Sequence, residues 1–174
     1  MDMIGSDSIA ILPTASISIR NRDVEFPFRP DSDFFYLTGY PEPEAVVVLI
    51  PDREEGECIL FCRERDEKME AWHGRRSGLE GAIKIYAADD AFPIEDMDDI
   101  LPGLIEGHER IYYNMGSDQN FDQRVLGWVN QIRDKVRTGV TAPDEFISLN
   151  HFLHEMRLYK SRYEIKLMRK AAEI

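Results

Sequence analysis

The sequence predicts a single α/β domain, a mixed sheet of about five or six strands with helices on both faces. Three observations lead there. Short β-branched and aromatic runs dominate the first half of the chain. Three- and four-residue apolar spacing takes over in the second half. One run, Ala45 to Ile50, is apolar without interruption. A strand that does not alternate has both faces covered, so this one belongs in the middle of a sheet. The chain has 174 residues, of which 43% are hydrophobic. That suffices for one buried core and is short for two, and it excludes a disordered or fibrous chain.

In order, Ser8 to Leu12 reads as the first strand, and Ala15 to Ile19 as a second short strand or a loop. Phe34 to Thr38 reads as a strand ended by Gly39. Ala45 to Ile50 is bounded by Pro43 and Pro51. Glu57 to Cys62 follows a charged turn, Asp52 to Gly56, in a hairpin-like connection. Ile83 to Tyr86 and Ile111 to Tyr113 are two further short strands. Ile94, Met97, Leu101 and Leu104 recur at helical spacing. So do Phe121, Val125, Trp128, Ile132 and Val136, with Ser117 or Asp118 as the cap. Asp144 to Leu158 holds one or two short helices. Ser161-Arg162-Tyr163-Glu164 is a capping box, so a helix begins at Arg162 and carries Ile165, Met168 and Ala172 on one face. No Gly, Asn or Pro ends it before Ile174. This pattern, with the short run-in Met1 to Gly5, leads us to expect an excised domain whose missing part follows Ile174. The alternative is a terminal helix packed on its own domain.

Thirty-three acids against 21 bases give a net charge of −12, which argues against a nucleic-acid partner, because counterion release needs a basic footprint. No apolar run approaches the roughly 20 residues of a membrane span, and no charged-then-apolar leader is present. A cytoplasmic protein without a membrane partner is the expectation. Asp89 to Glu109 holds eight acids and no Lys or Arg, whereas Arg157 to Ile174 holds six bases and two acids. The acidic block reads as a solvated helix face in preference to a cation-collecting surface. Cys58 and Cys62 are the only cysteines. On one strand they share a face about 13 Å apart, too far for a disulfide, so two inert thiols are expected.

Nothing in these patterns is itself a catalytic motif. There is no phosphate-binding Gly-rich loop and no Gly-x-Ser-x-Gly elbow. Gly74, Gly78 and Gly81 are spaced like a flexible loop. His151 and His154 lie three apart, but no third ligand is evident and the order is not His-Glu-x-x-His, so surface or capping histidines are expected over a metal site. His73 and His108 fall in separate loops. Arg29, Asp31 and Asp33 sit at the entry to the aromatic run, where an ion pair would pin the loop. Arg75 and Arg76 are expected to pair with Glu70 or Glu80, or with a second subunit.

The informative segment is Phe28-Arg29, Ser32-Asp33-Phe34-Phe35-Tyr36-Leu37-Thr38-Gly39-Tyr40 and Glu42-Pro43-Glu44-Ala45. It resembles the amino-terminal domain of Xaa-Pro aminopeptidase (aminopeptidase P), in the creatinase–prolidase superfamily. Trp72-His73-Gly74-Arg75-Arg76 resembles that family's Trp-x-Gly-Arg-Arg loop. Thr141-Ala142-Pro143 and His154 to Ser161 resemble its segments leading into the catalytic domain. The likeness covers nearly the whole chain in order, although most of the family's helix before the first strand is absent. It implies a creatinase/prolidase amino-terminal fold with a ribonuclease H-like motif. Residues 1–160 would form this domain, and 161–174 would start the linker helix into a pita-bread catalytic domain.

In the family that absent domain holds two metal ions, usually Mn²⁺, and cleaves the amide between the first residue and proline. None of its ligands can be placed on this chain, so neither a catalytic residue nor a metal or other cofactor is expected here. The resemblance implies a non-catalytic domain that restricts access to the active site and builds a homo-oligomer, with its own catalytic domain and a peptide substrate as partners. It marks three accessory residues. Trp72 would be lent to a neighbouring subunit's active site, core packing being the alternative. Asp23 and Arg137 would hydrogen-bond at the mouth of the site, an ordinary surface pair being the alternative. Two other readings stay open: a peptide-binding module of a peptidase-like protein without catalysis, and the amino-terminal domain of a prolidase or creatinase.

Overall fold

The computed structural model describes residues 3–135, 137 and 139–174. Among the described residues, eight strands run as β1 (Ser8–Pro13), β2 (Ile19–Asn21), β3 (Val24–Glu25), β4 (Val46–Leu49), β5 (Cys58–Cys62), β6 (Asp90–Pro93), β7 (Arg110–Tyr112) and β8 (Glu145–Ile147). Among the described residues there are seven α-helices: α1 (Ser32–Thr38), α2 (Glu67–His73), α3 (Gly78–Lys84), α4 (Met97–Ile105), α5 (Gln119–Asp134), α6 (Asn150–Leu158) and α7 (Arg162–Ala172).

Six strands form one mixed sheet in the order β6-β5-β4-β1-β7-β8, and β2 and β3 form a separate hairpin. The antiparallel pairs β1–β4 and β4–β5 lie at its centre, and the parallel pairs β1–β7, β5–β6 and β7–β8 lie around them. Period-2 alternation sends Ile9, Ile11, Val46, Val48, Ile59 and Phe61 to one face. There α4 and α5 cover them with Met97, Leu101, Ile105, Val125, Trp128 and Ile132. Ala10, Leu12, Ala45, Val47, Leu60 and Cys62 face the other way, under Phe34 of α1, Ala82 of α3 and Leu153 of α6. The uninterrupted apolar run is therefore a central strand with helices on both sides, as its pattern predicts. Val136, the last residue of the predicted helical stripe, lies outside the described residues, as do Met1 and Asp2.

Two predicted strands are helices. Phe34 to Thr38 belongs to α1, because its caps outweigh the β-propensity of its aromatics. Asp31 accepts hydrogen bonds from the Asp33 and Phe34 N–H groups at 2.9 and 3.0 Å, and Gly39 closes the helix with φ 64°. Ile83 to Tyr86 falls at the end of α3, and Ile83 and Ile85 point to solvent. The strand of that region is β6, inside the acidic block. The segment before Ile19 is a loop, and β2 begins at that residue. Asp144 to Leu158 contains α6 and also the edge strand β8. The β4–β5 turn is as expected. At Gly56, φ is 112° and an added Cβ would meet Asp89 Cβ at 2.2 Å, so no side chain fits there.

Candidate functional site

Trp72 is in α2, a helix of seven residues and not a loop. Asp66 caps it by accepting from Lys68 and Met69 N–H, and Gly74 ends it. No residue of α2 is buried, so core packing does not hold the helix in place. Polar struts do. Arg65 makes a two-pronged bond to Glu70 at 3.0 and 3.2 Å, Arg76 Nη1 donates to the Glu64 carbonyl, and the Ser77 N–H donates to Glu42 at 2.7 Å. Trp72 is 85% exposed, with Met69 three residues back also exposed. The core-packing alternative is excluded: this tryptophan is presented outward on a braced platform. An indole so exposed has its apolar area available to something outside this chain.

Glu70 pairs with Arg65 at 3.0 Å and Glu80 with Lys84 at 2.9 Å, and among the described residues no ion pair joins Arg75 or Arg76 to either acid. The Glu70 carboxyl is held below its ordinary value, by Arg65 first, with a backbone bond from Arg76 and the charge of Arg75 contributing. Asp23 lies in the exposed turn between β2 and β3, where Arg22 adopts φ 49°. Arg137 follows α5 and is exposed. Among the described residues no hydrogen bond or ion pair joins Asp23 to Arg137. Trp72, Asp23 and Arg137 thus sit in three separate segments, and among the described residues no hydrogen bond, ion pair or ring contact joins them.

The entry to α1 is pinned, but with other partners than the adjacent residues. Asp33 pairs with Arg157 of α6, 124 positions away, while Asp31 serves as the helix cap. Arg157 also lies 5.6 Å from the Tyr36 ring centre, and Tyr36 Oη donates to the Met156 carbonyl at 3.4 Å. This knot joins α1 to the end of α6. Exposed apolar side chains that sequence reasoning did not assign stand on α1 (Phe35 and Tyr36), at the end of α6 and just after it (Leu158 and Tyr159), and on α7 (Tyr163 and Met168). Their only sequence signal was the apolar stripe after the capping box. A cleft of about 560 Å³ opens between the ends of β1 and α5, lined by Thr14, Ser16, Glu44, Glu95, Asp118 and Arg124 among others, and it had no sequence signal.

His151 and His154 lie on α6, and the His151 ring stacks edge-on against Phe152. Among the described residues no group of three or more His, Cys, Asp or Glu side chains converges to hold a metal ion. Both cysteines are free, and burial pushes each thiol up to about 11. Among the described residues no helix is long and apolar enough to cross a membrane.

The family model described as Aminopeptidase P, N-terminal domain, matches residues 1–112. The chain is 38% identical over 168 residues to the Xaa-Pro aminopeptidase of Escherichia coli, covering 96% of this chain and 38% of that protein. It is 32% identical to the mitochondrial intermediate cleaving peptidase 55 of Arabidopsis thaliana, over 100% of this chain and 33% of the relative. The solved structure of Pseudomonas aeruginosa aminopeptidase PepP superposes with a TM-score of 0.96 at 59% identity, covering 99% of this chain and 39% of that one. The low-pH form of Escherichia coli aminopeptidase P gives 0.93 at 36% identity. The chain therefore spans between 33% and 39% of the length of these relatives. From fold, sequence and family model alike, it belongs to the family of aminopeptidase P amino-terminal domains.

Proposed function

We propose that this chain is the non-catalytic amino-terminal domain of a manganese-dependent Xaa-Pro aminopeptidase, a hydrolase that removes the first residue of a peptide when the second is proline. In this reading the domain narrows access to the active site, so that only chain ends enter, and it supplies contacts for a homo-oligomer in the cytoplasm. The carrying observation is the agreement of almost the whole chain with 39% of the PepP structure at 59% identity. The metal ions and the groups that hold them would belong to a segment outside this chain. When bound, such ions supply an activated water and polarise the scissile carbonyl.

The residues here would act by shape and contact. Trp72, carried outward on a platform braced by Arg65, Glu70, Ser77 and Glu42, would reach a neighbouring subunit and offer an aromatic wall to the substrate. Asp23 and Arg137, unpaired with each other here, would meet at the mouth of the site once the catalytic domain and neighbouring subunits are in place. The exposed apolar surface on α1, the end of α6 and α7 would dock against the catalytic domain. Two free thiols support a reducing compartment.

The test uses the full-length protein and an Xaa-Pro peptide with Mn²⁺. Trp72→Ala should lower turnover roughly tenfold or more, in keeping with the cost of a misplaced substrate wall, while the circular dichroism spectrum and melting of this domain stay unchanged. An unaltered rate would remove Trp72 from the site. The 174-residue chain alone should release no amino acid above a metal-free control.

A further inference from the structure

Glu70 and Trp72 lie two residues apart on α2. At about 100° per residue they point about 200° apart, to opposite faces of the helix. Met69, three residues before Trp72, shares its outward face and is exposed as well. Along Glu67 to His73 every residue is exposed except Glu70, whose side chain is only 10% exposed. Its carboxylate meets chain from both ends of the helix. Arg65, which precedes α2, donates from Nε to Oε1 at 3.0 Å and from Nη2 to Oε2 at 3.2 Å. A backbone N–H bond comes from Arg76, which follows α2.

Both flanks are held independently of the helix. The Arg65 stem runs against the start of α3, where Gly78 is buried with φ 64° and an added Cβ would meet Arg65 Cγ at 2.6 Å. A side chain at that glycine would have to displace Arg65. The Ser77 N–H donates to Glu42 at 2.7 Å, and Arg76 Nη1 donates to the Glu64 carbonyl at 3.3 Å. The helix between these flanks has seven residues, none of them buried. Such a short helix is marginal in water, and it has no apolar stripe to fix its rotation about its own axis. Only a side chain that reaches the fixed flanks can set that rotation. Among the described residues, Glu70 is the α2 side chain that makes hydrogen bonds to them, and a two-pronged carboxylate–guanidinium bond fixes direction as well as distance.

We propose that Glu70 is a positioning residue for Trp72. Its carboxylate clamps the entry of α2 to its exit, turns its own face of the helix inward, and so aims the indole outward. The kinetic consequence rests on the reading that Trp72 serves an active site; the aim of the indole does not.

The test uses the full-length protein carrying 5-fluorotryptophan, with the Trp72 fluorine resonance identified by its loss in Trp72→Phe. Glu70→Ala should shift and sharpen that resonance, because the released helix reorients, while the resonance of the buried Trp128 stays in place. Glu70→Gln keeps the side-chain length and one acceptor oxygen, and its spectrum should fall between the two. With an Xaa-Pro peptide and Mn²⁺, Glu70→Ala should lower turnover, and the double variant should lose no more than Trp72→Ala alone, because Glu70 acts through the indole. An unmoved Trp72 resonance in Glu70→Ala would overturn the proposal, and so would losses that multiply in the double variant. If Trp72→Ala by itself leaves the rate unaltered, the active-site reading fails and the fluorine spectrum alone decides the clamp.

Discussion

His108, in the turn between α4 and β7, is half-buried, and its imidazole is pushed below its ordinary value of 6.5, because burial disfavours the cation more than Asp7 favours it. Between the folded value and 6.5 the unfolded chain binds the extra proton. Stability therefore rises with pH through that window and is lost as pH falls below about 6.5. His108→Gln should flatten the dependence of the urea midpoint across about pH 5 to 7, and an unchanged slope would show that His108 is not responsible. The thiols are a second residue-level case. Cys62 is fully buried, with its thiol pushed up to about 11. Ellman's reagent near pH 8 should label it only after unfolding, because the thiolate is the nucleophile. Stoichiometric labelling of the native chain would contradict this. That the two thiols do not pair was legible in the sequence, because strand spacing alone separates them. The exposure of Trp72 was not, since the pattern Glu67 to His73 shows no apolar face to contrast with it. The Asp33–Arg157 pair was equally hidden, because no local pattern points to a partner 124 positions away.

At the scale of elements, caps decided what propensity did not. The run Phe34 to Thr38 carries strand-forming aromatics, yet Asp31 and Gly39 close it as a helix that buries Phe34 and leaves Phe35 and Tyr36 outward. Asp31→Ala should destabilise the chain by about 1 kcal/mol, as loss of a side-chain cap does. Phe34→Ala, which leaves a cavity under α1, should cost about 3–5 kcal/mol. Denaturant titration of both variants checks the order, and an unchanged midpoint for Asp31→Ala would mean that the cap is of no special consequence. The central strands were legible because β1, β4 and β5 are buried on both faces, which leaves apolar runs that no turn interrupts. The edge strands were not. In β6 (Asp90–Pro93) and β8 (Glu145–Ile147) the residues are only partly buried, and an edge needs little hydrophobic pattern to pair. Their existence depends on parallel partners, β5 and β7, that lie about 30 residues away in sequence.

For the whole molecule, α7 is the element whose stability this chain does not explain. It has eleven residues and a complete capping box, and none of its residues is buried. Helices shorter than about 12–15 residues are marginal in water, and the box adds only about 1 kcal/mol. The Glu164 carboxyl is held below its ordinary value by its bonds to Ser161, so the cap weakens as acid protonates it. Tyr163, Leu167 and Met168 meanwhile hold apolar area in water. If the proposed catalytic domain covers that area, the cooperativity α7 lacks alone is supplied by docking. Hydrogen exchange on the chain and on the full-length protein separates the two states. In the 174-residue chain the α7 amides should exchange within a few-fold of the unstructured rate, and Ser161→Ala should bring them to it. In the full-length protein the same amides should be protected by at least about a hundredfold, because opening them would then require exposing the docked face. Equal exchange in both would mean that α7 stands free and that the domain is attached by a flexible tether. The amides of β1, β4 and β5 should stay protected in both forms, because their burial lies wholly within this chain.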